Sequence, residues 1–288
     1  MDEVLSQKEI SNLLGKRRPD CNKGDNGKGL LIAGSEGFYG AAVMAAASCL
    51  RAGIGTLKAL CPDGAGPTFA ALPEAMVYPA GANWELANLD LVSERLSEAD
   101  CIAIGPGMGK EEQVLELVCM ALATGKPTMV DADGLNALSR LDDEEKAKVL
   151  HKNAVLTPHP GEMSRLTGLE MADIQAEMAG IASKYSRLWG CIVLLKGAKT
   201  AISSSSGQMK WNETGNAGLA KGGSGDVLTG IILALLGQKL SAFDAACAGS
   251  YILGASAEEA LGLLQERALM ARDVISAVEL TLDLMKGK

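Results

Sequence analysis

Aromatic side chains make up only 3% of this 288-residue chain, and histidine occurs twice, at His151 and His159. So few rings leave no stacking platform for single-stranded nucleic acid, and two histidines do not build a multi-histidine zinc site. Basic clusters are scarce too: none occurs beyond Lys16-Arg17-Arg18, and the net charge is −8. That argues against nucleic acid or an anionic membrane surface as the main partner. No apolar run approaches the roughly 18 residues that span a bilayer. The start, MDEVLSQKEI, is acidic and polar, unlike a signal peptide. The seven cysteines (Cys21, Cys49, Cys61, Cys101, Cys119, Cys191, Cys247) form no CxxC pair and mostly sit in apolar runs. They read as buried thiols of a cytoplasmic protein. The G-x-G-x-x-G and P-loop patterns are also missing. Gly105-Pro106-Gly107 has the wrong spacing, and Pro106 lacks the N–H a phosphate would want.

What is present is a core: 48% of the residues are hydrophobic and 22% charged, with alanine and glycine abundant. Short apolar or β-branched runs at 30–34, 56–61, 101–105, 128–131, 154–157, 192–196 and 200–204 read as strands. Stretches of helical period lie between most of them, at 41–52, 111–124 and 172–188, and two apolar helices follow at 227–236 and 243–261. KGAKTAISSSSGQMKWNE reads as a β-hairpin. The alternation predicts an α/β protein whose mainly parallel central sheet carries helices on both faces, one domain over 1–288.

In such sheets ligands bind beyond the carboxyl ends of the strands. Here those ends carry GSEGFYGAA, GPGMG, DADGLNAL, TPHPGE and KGAKT. GNAGLAKGGSGDVLTG, with six glycines in sixteen positions, follows the hairpin. A glycine loop that opens into a helix aims N–H groups at an anion. Asp226 at its exit reads either as a base that accepts a hydroxyl proton during phosphoryl transfer or as an acid favoured by the helix macrodipole. Asp131 and Asp133, with Asn136 a turn on, suit Mg2+ or helix capping equally. His159 and Glu162 share TPHPGE, a stiff segment entering a helix. Lys196 at a strand end, or else Lys199 or Lys221, suits a nucleotide phosphate, and KGAKT reads equally as a hairpin entry with no ligand.

Taken in order, KGLLIAGSEGFYGAA, IGPGMG, VDADGLNAL, LTPHPGE, LLKGAKT and GNAGLAKGGSGDVLTG resemble the NAD(P)H-hydrate dehydratases of the ribokinase-like superfamily, over about residues 25 to 280. Ala217 stands where that family's GNPG has proline, a change in loop stiffness. The resemblance implies repair of (S)-hydrated NADH or NADPH: a nucleotide phosphorylates the ring hydroxyl, and phosphate leaves to restore the dihydropyridine. It implies ADP as co-substrate, with ATP as the alternative, Mg2+ as cofactor, and a homo-oligomer, a tetramer being common; no fused epimerase is expected. Asp226 would be the catalytic base. Lys196, Gly197, Ala198, Lys199, Thr200, Asn216, Gly223 and Gly225 would hold the nucleotide. Ala42, Gly107, Gly109, His159 and Asp226 would meet the hydrated dinucleotide, and Asp131 and Glu162 are the candidate Mg2+ partners, direct or through water. Two other readings share these residues: a ribokinase-like kinase of a small alcohol such as a hydroxyethylthiazole or pyrimidine, and a nucleotide-binding regulatory module without catalysis.

Overall fold

Strand residues alternate sides in a way the apolar runs do not display in sequence. Leu31, Cys101, Ala103, Met129 and Val155 pack into one core; Leu30, Ile102, Ile104, Val130 and Leu156 pack into a second. A computed structural model describes residues 3–262 and 264–285. In chain order its elements are β1 (Glu3–Val4), α1 (Gln7–Leu14), β2 (Lys28–Ile32), α2 (Tyr39–Arg51), β3 (Thr56–Cys61), β4 (Ala75–Pro79), α3 (Leu89–Glu98), β5 (Cys101–Ile104), α4 (Gln113–Ala123), β6 (Thr128–Val130), α5 (Asp133–Leu138), α6 (Asp143–Val149) and β7 (Ala154–Leu156). They continue with α7 (Pro160–Thr167), α8 (Met171–Ala176), α9 (Met178–Trp189), β8 (Ile192–Leu195), β9 (Thr200–Ser203), β10 (Met209–Asn212), α10 (Ser224–Gly237), α11 (Ala242–Ala260) and α12 (Ala271–Met285).

The strands form one ten-stranded sheet, ordered β1-β10-β9-β8-β7-β6-β5-β2-β3-β4. Every pairing is parallel except β8–β9 and β9–β10, which make the expected hairpin region. Helices α2, α10, α11 and α12 cover one face, and α3, α4, α5, α7, α8 and α9 cover the other. Strands buried on both faces read as continuous apolar runs, which is why their boundaries were legible.

Several elements lie outside the sequence expectations. The helix expected over 172–188 is two helices, α8 and α9, divided at Glu177 (φ −128°, ψ 38°). The division seats Met178 on the turn after β8, where a Cβ on Gly197 would lie 2.9 Å from the Met178 methyl carbon. The edge strand β4 is half exposed and bracketed by Pro73 and Pro79, so it lacks the apolar run of an interior strand. The helix expected over 227–236 begins earlier, at Ser224, which puts Asp226 in its first turn.

Helix α10 is buried at every position from Val227 to Gly237 and packs closely on α2. Gly230 allows that approach: a Cβ there would sit 2.0 Å from the Ala45 carbonyl oxygen and 2.0 Å from Ser48 Oγ. Gly230→Ala is therefore expected to force the helices apart and cost about 1–3 kcal/mol or more, read as a lowered melting temperature.

Candidate active site

Strand β2 lies between β3 and β5 in the sheet, while the chain leaves β2 for α2 on one face and leaves β5 for α4 on the other. This reversal opens a crevice at the carboxyl ends of β2 and β5, the position where such sheets take ligands. The two loops at its mouth are stitched together. Gly34 N–H donates to the Pro106 carbonyl (2.7 Å), Ser35 Oγ to the Gly107 carbonyl (2.8 Å), and buried Trp84 Nε1 to the Gly34 carbonyl (2.7 Å).

The next strand end carries Asp131, which is 1% exposed. Its Oδ1 accepts from Thr157 Oγ1 (2.8 Å) and Lys196 Nζ (2.9 Å), and its Oδ2 accepts from Thr229 Oγ1 (3.0 Å). The following residue, Ala132, has φ 48° and ψ −117°, a strained conformation that alanine rarely adopts. The tight turn it makes is closed by Gly134 N–H on the Asp131 carbonyl (3.0 Å). It sends Asp133 the opposite way, to accept from Gly109 N–H (2.8 Å) and Asn136 Nδ2 (3.2 Å). One strained residue thus lets the carboxylates on either side of it serve different neighbours, Asp131 the Lys196 cluster and Asp133 the loop after β5.

Helix α10 enters beside Asp131. Its N-cap, Gly223, has φ 100° and no side chain caps the helix, so the first-turn amides are free of a side-chain acceptor. A Cβ on Gly225 would lie 3.4 Å from Asp131 Oδ2 and 3.6 Å from Lys196 Nζ, so this helix end abuts the Asp131–Lys196 pair. Burial pushes the Asp226 carboxyl up to about 7; Asp131 and Asp133 push the same way, and Lys196 opposes them. Burial alone would weaken the Lys196 charge, but Asp131, Glu162 and Asp226 outweigh it and hold the ammonium protonated above its ordinary range.

Glu162 is buried in α7 and faces the same lysine, 3.7 Å away. It closes a capping box, accepting from His159 N–H (2.8 Å) while His159 Nδ1 accepts from the amides of Gly161 (3.0 Å) and Glu162 (3.3 Å). That fixes Nδ1 as the acceptor and leaves the proton on Nε2, 3.5 Å from Glu162 Oε1. Burial lowers the affinity of the His159 ring for a second proton, against the pull of Glu162 and with help from Lys196 and Arg165.

A pair of carboxylates flanking one lysine, a glycine-opened helix end and an acid poised near 7 can position a phosphoryl group and accept a hydroxyl proton. The family model for NAD(P)H-hydrate dehydratase matches residues 29–278. The chain belongs to the NAD(P)H-hydrate dehydratase family. It is 43% identical over 272 residues to a bifunctional NAD(P)H-hydrate repair enzyme of Moorella thermoacetica, covering 91% of this chain and 50% of that one. An ADP-dependent (S)-NAD(P)H-hydrate dehydratase of Neisseria meningitidis is 37% identical over 246 residues, covering 84% of this chain and 80% of that one. The crystal structure of an ADP/ATP-dependent NAD(P)H-hydrate dehydratase from Bacillus subtilis, co-crystallised with ATP/Mg2+, superposes with a TM-score of 0.86 at 29% identity, covering 99% of both chains. The fold is the ribokinase-like one. This chain spans about half the length of the bifunctional relatives it matches.

For a dehydratase-family chain, the expected site residues fall into three groups. Asp131, Glu162, Lys196, Gly225 and Asp226 converge around the α10 N-terminus. Gly107, Gly109 and His159 line the neighbouring loops; Ala42 is fully buried behind Gly34 and belongs to the wall of the crevice. Gly197, Ala198 and Lys199 form the exposed β8–β9 turn, where Lys199 pairs with Glu213 (2.8 Å), while Thr200 is buried in β9. Asn216 caps a short 3-10 turn at Ala217–Leu219 by accepting from Gly218 N–H (2.9 Å), so the turn forms without the family's proline. Its Nδ2 is buried and has no partner among the described residues. Thr157 and Thr229 went unread in the sequence. A lone threonine inside the apolar run VLTGIILALL was the available signal for the second.

Proposed function

We propose that this chain is a nucleotide-dependent (S)-NAD(P)H-hydrate dehydratase. Asp226 takes the proton from the hydroxyl of the hydrated ring while that oxygen attacks the terminal phosphoryl group of ADP, releasing AMP. The amides at residues 223–225 hold the phosphoryl oxygens, and Lys196 neutralises charge beside them. The ring nitrogen then expels phosphate, and loss of a proton from the neighbouring carbon restores the double bond. The single observation that carries this reading is a carboxyl pushed up to about 7 at a glycine-opened helix end. A base near the working pH combines availability with driving force. ADP rather than ATP is favoured by similarity to the Neisseria meningitidis enzyme, named ADP-dependent. The exposed turn of Gly197, Ala198 and Lys199, with Thr200 and the unpartnered Asn216 amide, supports a nucleotide-binding role for that edge. Gly107, Gly109 and His159, with Ala42 behind them, would border the hydrated dinucleotide.

Asp131 does not fit a resident metal, because Thr157, Lys196 and Thr229 already donate to both of its oxygens. Mg2+ would arrive on the nucleotide's phosphates, keeping most of its waters. Glu162 would receive it, and the ion would supply charge neutralisation. The span 1–288 would act as one catalytic unit in the cytoplasm; no helix among the described residues is long and apolar enough to cross a membrane. Leu280 and Leu284, each 58% exposed and one turn apart on α12, support a homo-oligomer, with a tetramer as the expected form; light scattering would show it.

The test is recovery of NADH absorbance from hydrated NADH, run with ADP and with ATP in parallel. Recovery with ADP, accompanied by AMP, is expected. No recovery with either nucleotide, alongside stable phosphorylation of a small alcohol, would replace this reading with that of a kinase.

A further inference from the structure

Four carboxylates, Asp131, Asp133, Glu162 and Asp226, surround this site, and its central cation Lys196 is already engaged by Asp131 at 2.9 Å and Glu162 at 3.7 Å. A ligand carrying a pyrophosphate needs a further positive group at the entrance. Arg165 on α7 is exposed at that entrance, close enough to His159 for its charge to lower the ring's proton affinity. Its Nε donates to Asn136 Oδ1 at 2.7 Å; Asn136 Nδ2 donates to Asp133 Oδ1, and Asp133 Oδ2 accepts from Gly109 N–H. The relay ties the guanidinium to the loop after β5. The Nη groups have no acceptor among the described residues. A planar fork held by one nitrogen, with its outer N–H groups unpaired, matches phosphate geometry.

We propose that Arg165 binds the pyrophosphate of the hydrated dinucleotide, an assignment that rests on the dehydratase reading. The relay reaches toward Gly109 and His159, whereas the nucleotide turn at Gly197–Lys199 lies beyond β7, between β8 and β9. Arg165 therefore serves the dinucleotide and not the phosphates of ADP. Asn136 and Asp133 act through it as positioning residues.

The test compares Arg165→Met and Arg165→Lys with the wild-type chain in the NADH-recovery assay, varying hydrated NADH and ADP separately. Loss of a charge-assisted phosphate contact is expected to raise KM for hydrated NADH roughly 10- to 100-fold in Arg165→Met, with KM for ADP and kcat moving by no more than about twofold. Lysine should recover part of the loss. A rise confined to KM for ADP would overturn the proposal and assign the guanidinium to the nucleotide. Equal rises in both constants with a lowered melting temperature, or no change in either, would overturn it in favour of a structural helix-end cation. If the wild-type chain regenerates no NADH, the dehydratase reading fails first, and that outcome is distinct from each of these.

Discussion

Replacing Asp226 with asparagine is expected to lower turnover roughly 100- to 10,000-fold, the range supplied by a positioned general base, while nucleotide binding is largely retained. Asparagine keeps the shape of the side chain and its place in the first turn of α10, so the helix end and its amides stay in position. The same substitution has an opposite effect on stability. An aspartate at its ordinary value of 3.8 in the unfolded chain is pushed up to about 7 on folding. Between those values the folded state holds a proton the unfolded chain has released, so this group's contribution to stability is full below the lower value and is lost as pH rises through about 7. Asparagine has no such dependence. The variant should match the wild type near pH 4 and exceed it near pH 8, by on the order of 2 to 4 kcal/mol if the whole shift is realised. Urea unfolding at the two pH values measures it. Wild-type activity, which needs the carboxylate, should rise through the same region. Near-normal turnover in the variant would remove Asp226 from the mechanism even with the family assignment intact.

Lys196→Met should have the largest effect on stability. Asp131 is almost completely buried, and the substitution removes the only cation among the described residues within ion-pair distance of it. Thr157 and Thr229 remain as donors, but neither cancels a charge. Stranding a buried carboxylate in this way typically costs about 3–5 kcal/mol. Adding Asp131→Asn to the same chain should recover a substantial part, because the double variant buries no unpaired charge. Lys196 also restrains the upward shift of Asp226. Any residual activity of Lys196→Met should therefore need a higher pH than the wild type. A single variant that melts with the wild type would show the pair to be dispensable.

The strand-end residues were legible because glycines and acids placed after apolar runs stand out without coordinates. Asp226 drew attention as the one acid in a glycine loop, and Lys196 as the charged residue that ends an apolar strand. The shared contact of Asp131 and Glu162 with Lys196 was not legible. Asp131 sits where helix capping explains it equally well, and only the register β6–β7–β8 brings both acids to the same lysine. Thr157 and Thr229 are hydroxyls whose partner lies 26 and 98 residues away, and no local pattern signals that.

By itself the sequence determined the interior strands, the α/β class and the family, because continuous apolar runs, stretches of period 3.6 and short ordered motifs are local properties of a chain. The tertiary structure decided the electrostatics of the site. The affinity of Asp226 for its proton depends on how much water the packed helices exclude and which charges the sheet order places nearby. Both are sums over residues far apart in sequence, so the working state of the acid in GGSGD follows from the fold.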